Sequence, residues 1–381
     1  MKLTILFFFL TIQFAFSQIK VGAECTEDYL PQIRNKNIAI VANQTSVIHG
    51  VHLVDTLLKQ HIRIKKIFTP EHGFRGIADA GEHVNDSIDS KTKLPLVSLY
   101  GSHKKPTKED LQGIDIVIFD IQDVGARFYT YISTMHYVME ACAENDVEFL
   151  VLDRPNPNGF YVDGPVLDTA YSSFVGMHPV PIVHGMTIAE YARMINEEGW
   201  LANGVHCNLH YVLCDGYNHS MKYTVPISPS PNLSSMQAIY LYPALCLTEG
   251  TVLSCGRGTP FPFQVIGHPQ FKDTSFSFIP RSIEGTSKNP PFKNQVCYGR
   301  DLRKYNTKDI TQIPLEIIID AYKNYTGTEP FFNSFFIKLA GTPELQKQIE
   351  QGLDANAIRQ SWQPQITEFK KIRKKYVLYT N

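Results

Sequence analysis

The chain has 381 residues, of which 43% are hydrophobic, 12% aromatic and 19% charged. That length can bury a large core, and that apolar content excludes intrinsic disorder. With 36 basic and 37 acidic residues the formal net charge is −1, which excludes the strong basic excess of a general nucleic-acid binder.

Residues 1–17 read as a secretory signal peptide. Lys2 precedes an apolar run ending at Phe16, and Ala15 and Ser17 put small residues at the −3 and −1 positions before Gln18. About fourteen apolar residues fall short of the roughly 20 a membrane span needs, so no span is expected after removal of the signal. The expectation is an exported chain, periplasmic or secreted. The mature chain keeps 35 basic and 37 acidic residues. Glu24 directly before Cys25 does not fit a lipid-modified cysteine. Seven cysteines with no CxxC spacing do not make a disulfide scaffold, although one bridge, Cys207 to Cys214, is compatible with the sequence.

Strands and helices alternate through the first half. Residues 37–42 (NIAIVA) form a compact apolar run, followed by helical spacing over 52–60 (HLVDTLLKQ). Strands are predicted at 62–68, 96–100, 115–120 (DIVIFD) and 148–152 (EFLVL), with a helix over 131–145. Strands apolar on both faces and alternating with helices imply a parallel sheet covered on both sides. This α/β, Rossmann-like region is placed at residues 18–200. Thr187 with Glu190 reads as a capping box opening a helix. From 201 to 381 a smaller, mixed α/β C-terminal region is expected, with loops at 226–231 (PISPSP) and 256–262 (GRGTPFP) and a final helix over 365–375.

In an open parallel sheet, ligands bind beyond the carboxyl ends of the strands. Those ends carry Asn43-Gln44-Thr45, then Glu71-His72-Gly73-Phe74-Arg75, then Asp120-Ile121-Gln122-Asp123 running on to Arg127 and Tyr129, and finally Asp153-Arg154-Pro155-Asn156-Pro157-Asn158. Amides, acids, arginines and tyrosines converge there. Amides and arginines suit an acidic, polyhydroxylated substrate, and aromatic residues offer flat faces to sugar rings. Glycoside hydrolysis needs two suitably placed carboxyl groups, for which Glu71, Glu82, Asp120 and Asp123 are the candidates. Structural alternatives stand beside them: Asp120 capping the next helix, and Asp153 pairing with an arginine. No G-x-S-x-G elbow, P-loop or G-x-G-x-x-G is present, so neither an α/β-hydrolase nucleophile nor a dinucleotide is indicated. His206 and His210 alternate as on a strand, and no metal or other cofactor is expected. His72 and His184 are candidate substrate contacts.

These loops resemble the exo-acting β-N-acetylmuramidases of the NamZ type, long catalogued as a domain of unknown function. The matching strings are VANQT (41–45), FTPEHGFRG (68–76), FDIQDVGARFYTYISTM (119–135), LDRPNPNG (152–159), HGMTIAEYA (184–192), SPNL (230–233), LYPALCLTEGT (241–251), GRGTPFPFQVIGHP (256–269) and KIRKKYVLY (371–379). The resemblance implies a cleft between a Rossmann-like domain and a smaller C-terminal one. It also implies removal of terminal N-acetylmuramic acid from the non-reducing end of peptidoglycan fragments. The family's cleft acids would fall on Glu71 and on Asp120 or Asp123. Such a substrate carries a lactyl carboxylate, for which Arg75, Arg127, Arg154 or Arg257 would supply a cation. Its acetamido group would meet Asn43, Gln44, Gln122 or Asn158, with Glu82, Tyr129 and Asn156 completing the set. Glu71 is expected as general acid, with an acid of the DIQD loop as base or stabiliser. A secreted two-lobed receptor would present the same polar groups without an acid poised at the glycosidic oxygen.

Overall fold

The computed structural model describes residues 19–71, 73–74 and 87–380. Helix α1 (Thr26–Ile33) leads into β1 (Asn37–Ala42), a short hairpin of β2 (Val47–Ile48) and β3 (Val51–His52), helix α2 (Leu53–Lys59) and β4 (Arg63–Thr69). Then come β5 (Ser87–Ile88), β6 (Pro95–Ser98), β7 (Ile116–Asp120), α3 (Tyr131–Glu144) and β8 (Glu148–Leu152). The hairpin-like pair β9 (Asp163–Val166) and β10 (Pro181–Val183) precedes α4 (Ile188–Glu197) and β11 (Leu209–Val212).

Seven of these strands form one sheet in the order β11-β8-β7-β1-β4-β6-β5. Every pairing is parallel except that of the edge strand β5. Chain order reverses at β1, so the topological switch point lies between β1 and β7. Along these two strands Ala39, Val41, Val117 and Phe119 enter one core layer and Ile38, Ile40, Ile116 and Ile118 the other. Helices α1 and α2 cover the second layer, and α3 and α4 the first. Both strand faces are therefore dry, which is why the runs are continuously apolar. Each fully buried Ile or Phe contributes about 1.5–3 kcal/mol, so a one-residue slip of register is strongly disfavoured. The sheet extends past residue 200, where the first region was expected to end, because HCNLHYVLC supplies its outer parallel strand.

The remaining chain holds α5 (Met236–Leu245), the antiparallel strands β12 (Val265–His268), β13 (Ser277–Phe278) and β14 (Cys297–Asp301), then α6 (Glu316–Asn324), α7 (Ser334–Ala340), α8 (Glu344–Glu350) and α9 (Ala355–Arg373). The last helix starts ten residues before the predicted 365. Asp354 caps it, accepting from the Ala357 N–H at 2.8 Å, and Pro364 is accommodated inside.

Arg127 ties the two parts together. Fully buried, its guanidinium donates to the carbonyls of Pro165 and Val180 and, across the fold, of Leu339 and Ala340, at 2.6–3.0 Å. Burial lowers its pKa to about 9. Gly341 closes α7 at φ 75°, and a Cβ there would stand 2.6 Å from Arg127 Nη2, so glycine is required twice over. The C-terminal tail returns to the sheet, where the Tyr379 hydroxyl donates to Asp153 at 2.5 Å.

Candidate functional site

The tips of β1 and β7 are stitched to each other. Asn43 Oδ1 accepts from the Thr45 N–H at 2.9 Å and the Thr45 hydroxyl at 2.6 Å. Thr45 Oγ1 accepts from the Gln122 N–H at 3.0 Å, and the Ser46 hydroxyl donates to the Asp120 carbonyl. The Asp120 carboxylate lies against Arg154, Nε–Oδ1 at 2.6 Å and Nη2–Oδ2 at 3.0 Å, with both side chains buried. Gln122 Nε2 donates to the carbonyls of Asp123 and Pro155. Asn156 donates to Met186 O and accepts from the Asn158 N–H, while Asn158 donates to Val124 O and Ile239 O. These buried groups, with Arg127, hold loops together.

Among the described residues Asp153 pairs with no arginine. Its carboxyl accepts from Tyr379 and from the Ala189 N–H at the start of α4, and burial raises its pKa to about 6 against those bonds. Thr187 and Glu190 form the capping box above it. His184 is buried, its Nδ1 accepting from the Met186 N–H. Burial, then Arg373 and Arg127, lowers its pKa to about 3, which keeps the ring neutral.

A different group of side chains converges around Glu71, at the end of β4. Half-buried, Glu71 accepts from the Thr130 hydroxyl at 3.3 Å. Tyr100, just past β6, has its pKa pushed up to about 12 by burial and then by the charge and hydrogen bond of Glu71. Tyr131 and Tyr129 meet edge to face at 4.7 Å, and both hydroxyls donate to the Pro229 carbonyl, at 3.0 and 2.9 Å. Asn43 Nδ2 donates to the Tyr131 oxygen at 3.0 Å. Gln44 Nε2 reaches the Ser228 and Pro229 carbonyls, so the 226–231 loop lies over the strand tips. Asp123 has Oδ2 accepting from the Gly125 N–H at 2.6 Å and Oδ1 buried with no hydrogen-bond partner among the described residues. Burial raises its pKa to about 7 against the N–H groups of Gly125 and Val124.

The C-terminal part adds a second wall. Tyr242 contacts Tyr129 at 5.7 Å and Phe263 at 5.1 Å, and the Arg257 guanidinium sits 5.1 Å over Phe263. Arg257 Nε donates to Glu249 at 2.6 Å. The thiols of Cys246 and Cys255 approach Glu249 at 3.7 and 4.0 Å. Tyr100 and Glu249 were absent from the sequence-based set. Tyr100 follows a strand end like the others, and Glu249 sits in the LYPALCLTEGT string, so both carried a signal. His72, Arg75 and Glu82 lie outside the described residues.

All seven cysteines are buried and unpaired, so no Cys207–Cys214 bridge is formed. Cys207 packs in the main core, whereas the Cys214 thiol donates to the Asp153 carbonyl at 3.3 Å. His210 Nε2 lies 3.6 Å from Glu148, with its side chain 42% exposed.

Comparison with known proteins supplies the remaining observation. Family models for the N- and C-terminal domains of the exo-β-N-acetylmuramidase NamZ match residues 38–237 and 240–379, a junction beyond β11. The peptidoglycan β-N-acetylmuramidase NamZ of Bacillus subtilis strain 168 is 38% identical over 372 residues, covering 92% of this chain and 89% of the relative. A solved DUF1343 family protein of Bacteroides fragilis NCTC 9343 superposes with a TM-score of 0.89 at 47% identity, covering 96% of this chain and 100% of its own. A second from the same organism gives 0.81 at 29%, covering 95% and 99%.

Proposed function

Since the chain belongs to the exo-β-N-acetylmuramidase NamZ family, we propose that it releases terminal N-acetylmuramic acid from the non-reducing end of peptidoglycan fragments by carboxyl acid–base chemistry. The observation that carries the mechanism is Glu71: a half-buried carboxyl at a strand tip, bonded to Thr130 and ringed by Tyr100 and Tyr131. Glu71 protonates the leaving glycosidic oxygen. Asp123, whose burial places its titration near neutrality, is the partner carboxyl that takes up a proton. Asp120 is assigned to structure, because Arg154 engages both of its oxygens.

Hydrolysis of a chromogenic β-glycoside of N-acetylmuramic acid tests this reading. Wild type should turn over, and Glu71→Gln should lose about 10²–10⁴-fold in kcat. Tight binding without turnover by wild type would make the protein a receptor, and full activity in Glu71→Gln would remove Glu71 from the chemistry. Export through the 1–17 segment belongs to the same proposal. No helix among the described residues is long and apolar enough to cross a membrane. Cleavage predicts a mature N-terminus at Gln18.

A further inference from the structure

Resting on the muramidase reading, we propose that Arg257 reads the lactyl carboxylate of N-acetylmuramic acid and thereby sets the preference for a muramyl over a glucosaminyl unit. Three of the four candidate arginines are described, and two are already engaged. Arg127 donates to four carbonyls, and Arg154 to Asp120 and the Val47 carbonyl. Arg257 differs from both. Among the described residues only its Nε edge is held, by Glu249, while the buried Nη1 has no hydrogen-bond partner and the side chain as a whole is 20% exposed.

Its location fits the role. A chain of ring contacts runs from Arg257 through Phe263, Tyr242 and Tyr129 to Tyr131, which lies within the field of Glu71. The hydroxyl of Tyr100, beside Glu71, also feels the charge of Arg257. A guanidinium presents a planar fork that matches a carboxylate in two parallel bonds, so fixing one edge aims the other. Glu249 does the fixing. The Cys246 and Cys255 thiols, kept protonated by burial, donate to Glu249 and divide its attraction for the guanidinium. N-acetylglucosamine lacks the lactyl carboxylate, so the free edge of Arg257 has nothing ionic to meet in a glucosaminyl unit.

Lys104 is the described cation that competes for this assignment. Its ammonium lies 4.7 Å over Phe174, whose ring is 6.5 Å from that of Tyr100. It offers a point charge without the fork.

The test compares p-nitrophenyl β-glycosides of N-acetylmuramic acid and N-acetylglucosamine on wild type, Arg257→Gln, Arg257→Lys and Lys104→Met. Arg257→Gln should lower the muramyl-to-glucosaminyl ratio of kcat/KM about 10–100-fold, mainly through KM, and Arg257→Lys should recover part of it. Inhibition by free N-acetylmuramic acid should weaken by a similar factor relative to N-acetylglucosamine. Lys104→Met should keep the wild-type ratio. If Arg257→Gln fails to fold, Arg257→Lys carries the comparison, since it retains the charge and loses the fork. An unchanged ratio in the folded variants, or a collapse of the ratio in Lys104→Met, overturns the role of Arg257 alone. Failure of wild type on the muramyl glycoside overturns the muramidase reading beneath it.

Discussion

Replacing Asp120 by Asn separates a structural carboxylate from a catalytic one. Asp120 and Arg154 form a bidentate pair at 2.6 and 3.0 Å, with side-chain exposures of 0% and 2%. The amide keeps the shape but loses the negative charge and one of the two acceptor oxygens, leaving the buried guanidinium facing an NH2 group, with a single amide oxygen and the Val47 carbonyl at 3.3 Å as acceptors. Breaking a buried pair from one side costs about 3–5 kcal/mol. With an unfolding entropy of about 2.1 cal/mol/K per residue over roughly 360 residues, that corresponds to a fall in Tm of about 4–7 °C. Scanning calorimetry measures the shift, and kcat/KM at 25 °C on the folded enzyme should stay within about threefold of wild type. The double variant Asp120→Asn with Arg154→Met removes the orphaned cation and should regain most of the lost stability. A turnover loss beyond about 100-fold at unchanged Tm would refute the reasoning and make Asp120 a reacting group.

Other outcomes follow from the same structure. Asp123, with a folded pKa near 7 against a usual value of 3.8, holds its proton longer folded than unfolded; stability should therefore fall as pH rises from about 4 to 7, by at most about 4 kcal/mol. Asp123→Asn should flatten that slope in urea titrations at pH 5 and 8, and an equal slope in both proteins would refute the assignment. Arg127→Met strands four carbonyls between the two parts of the chain, a loss above about 4 kcal/mol that should appear as a large drop in Tm or in soluble yield, whereas a wild-type Tm would contradict the clamp. Thiol titration should find seven reactive cysteines after denaturation without reductant and almost none before it, and five or fewer would reveal a disulfide.

The sheet was readable because its strands are dry on both faces. NIAIVA, DIVIFD and EFLVL needed no neighbours to identify them, since only burial on two sides tolerates an unbroken apolar run. The edge strand β11 is less apolar: Leu209 and His210 are half-buried and Tyr211 is exposed, so HCNLHYVLC reads as a strand by its alternation but does not announce its place in the parallel sheet. The final helix begins ten residues before the 365 expected from sequence, with Pro364 inside it. A proline ten residues into a well-capped helix removes one hydrogen bond without ending the packing of Trp362, Ile366 and Phe369.

At the site, residue type alone does not separate a group that binds substrate from one that holds a loop. Asn43, Asn156, Asn158, Arg127 and Arg154 look like ligands in sequence, yet their partners are carbonyls, hydroxyls and a carboxylate of the chain itself. The reason lies in topology. An open parallel sheet leaves a crevice at its switch point, where chain connections depart in opposite directions. Here the bonds of Thr45 with Gln122 and of Ser46 with Asp120 cross the gap between β1 and β7. Buried backbone polar groups at such a gap must find partners, and in this protein the flanking loops provide them. In the mechanism proposed above the chemistry therefore lies along the sheet edge, past β4 and β6, where Glu71 and Tyr100 are half-buried and interact with each other. On that proposal the C-terminal side chains Tyr242, Glu249 and Arg257, joined to the sheet side through Tyr129, complete the site in place of the switch point.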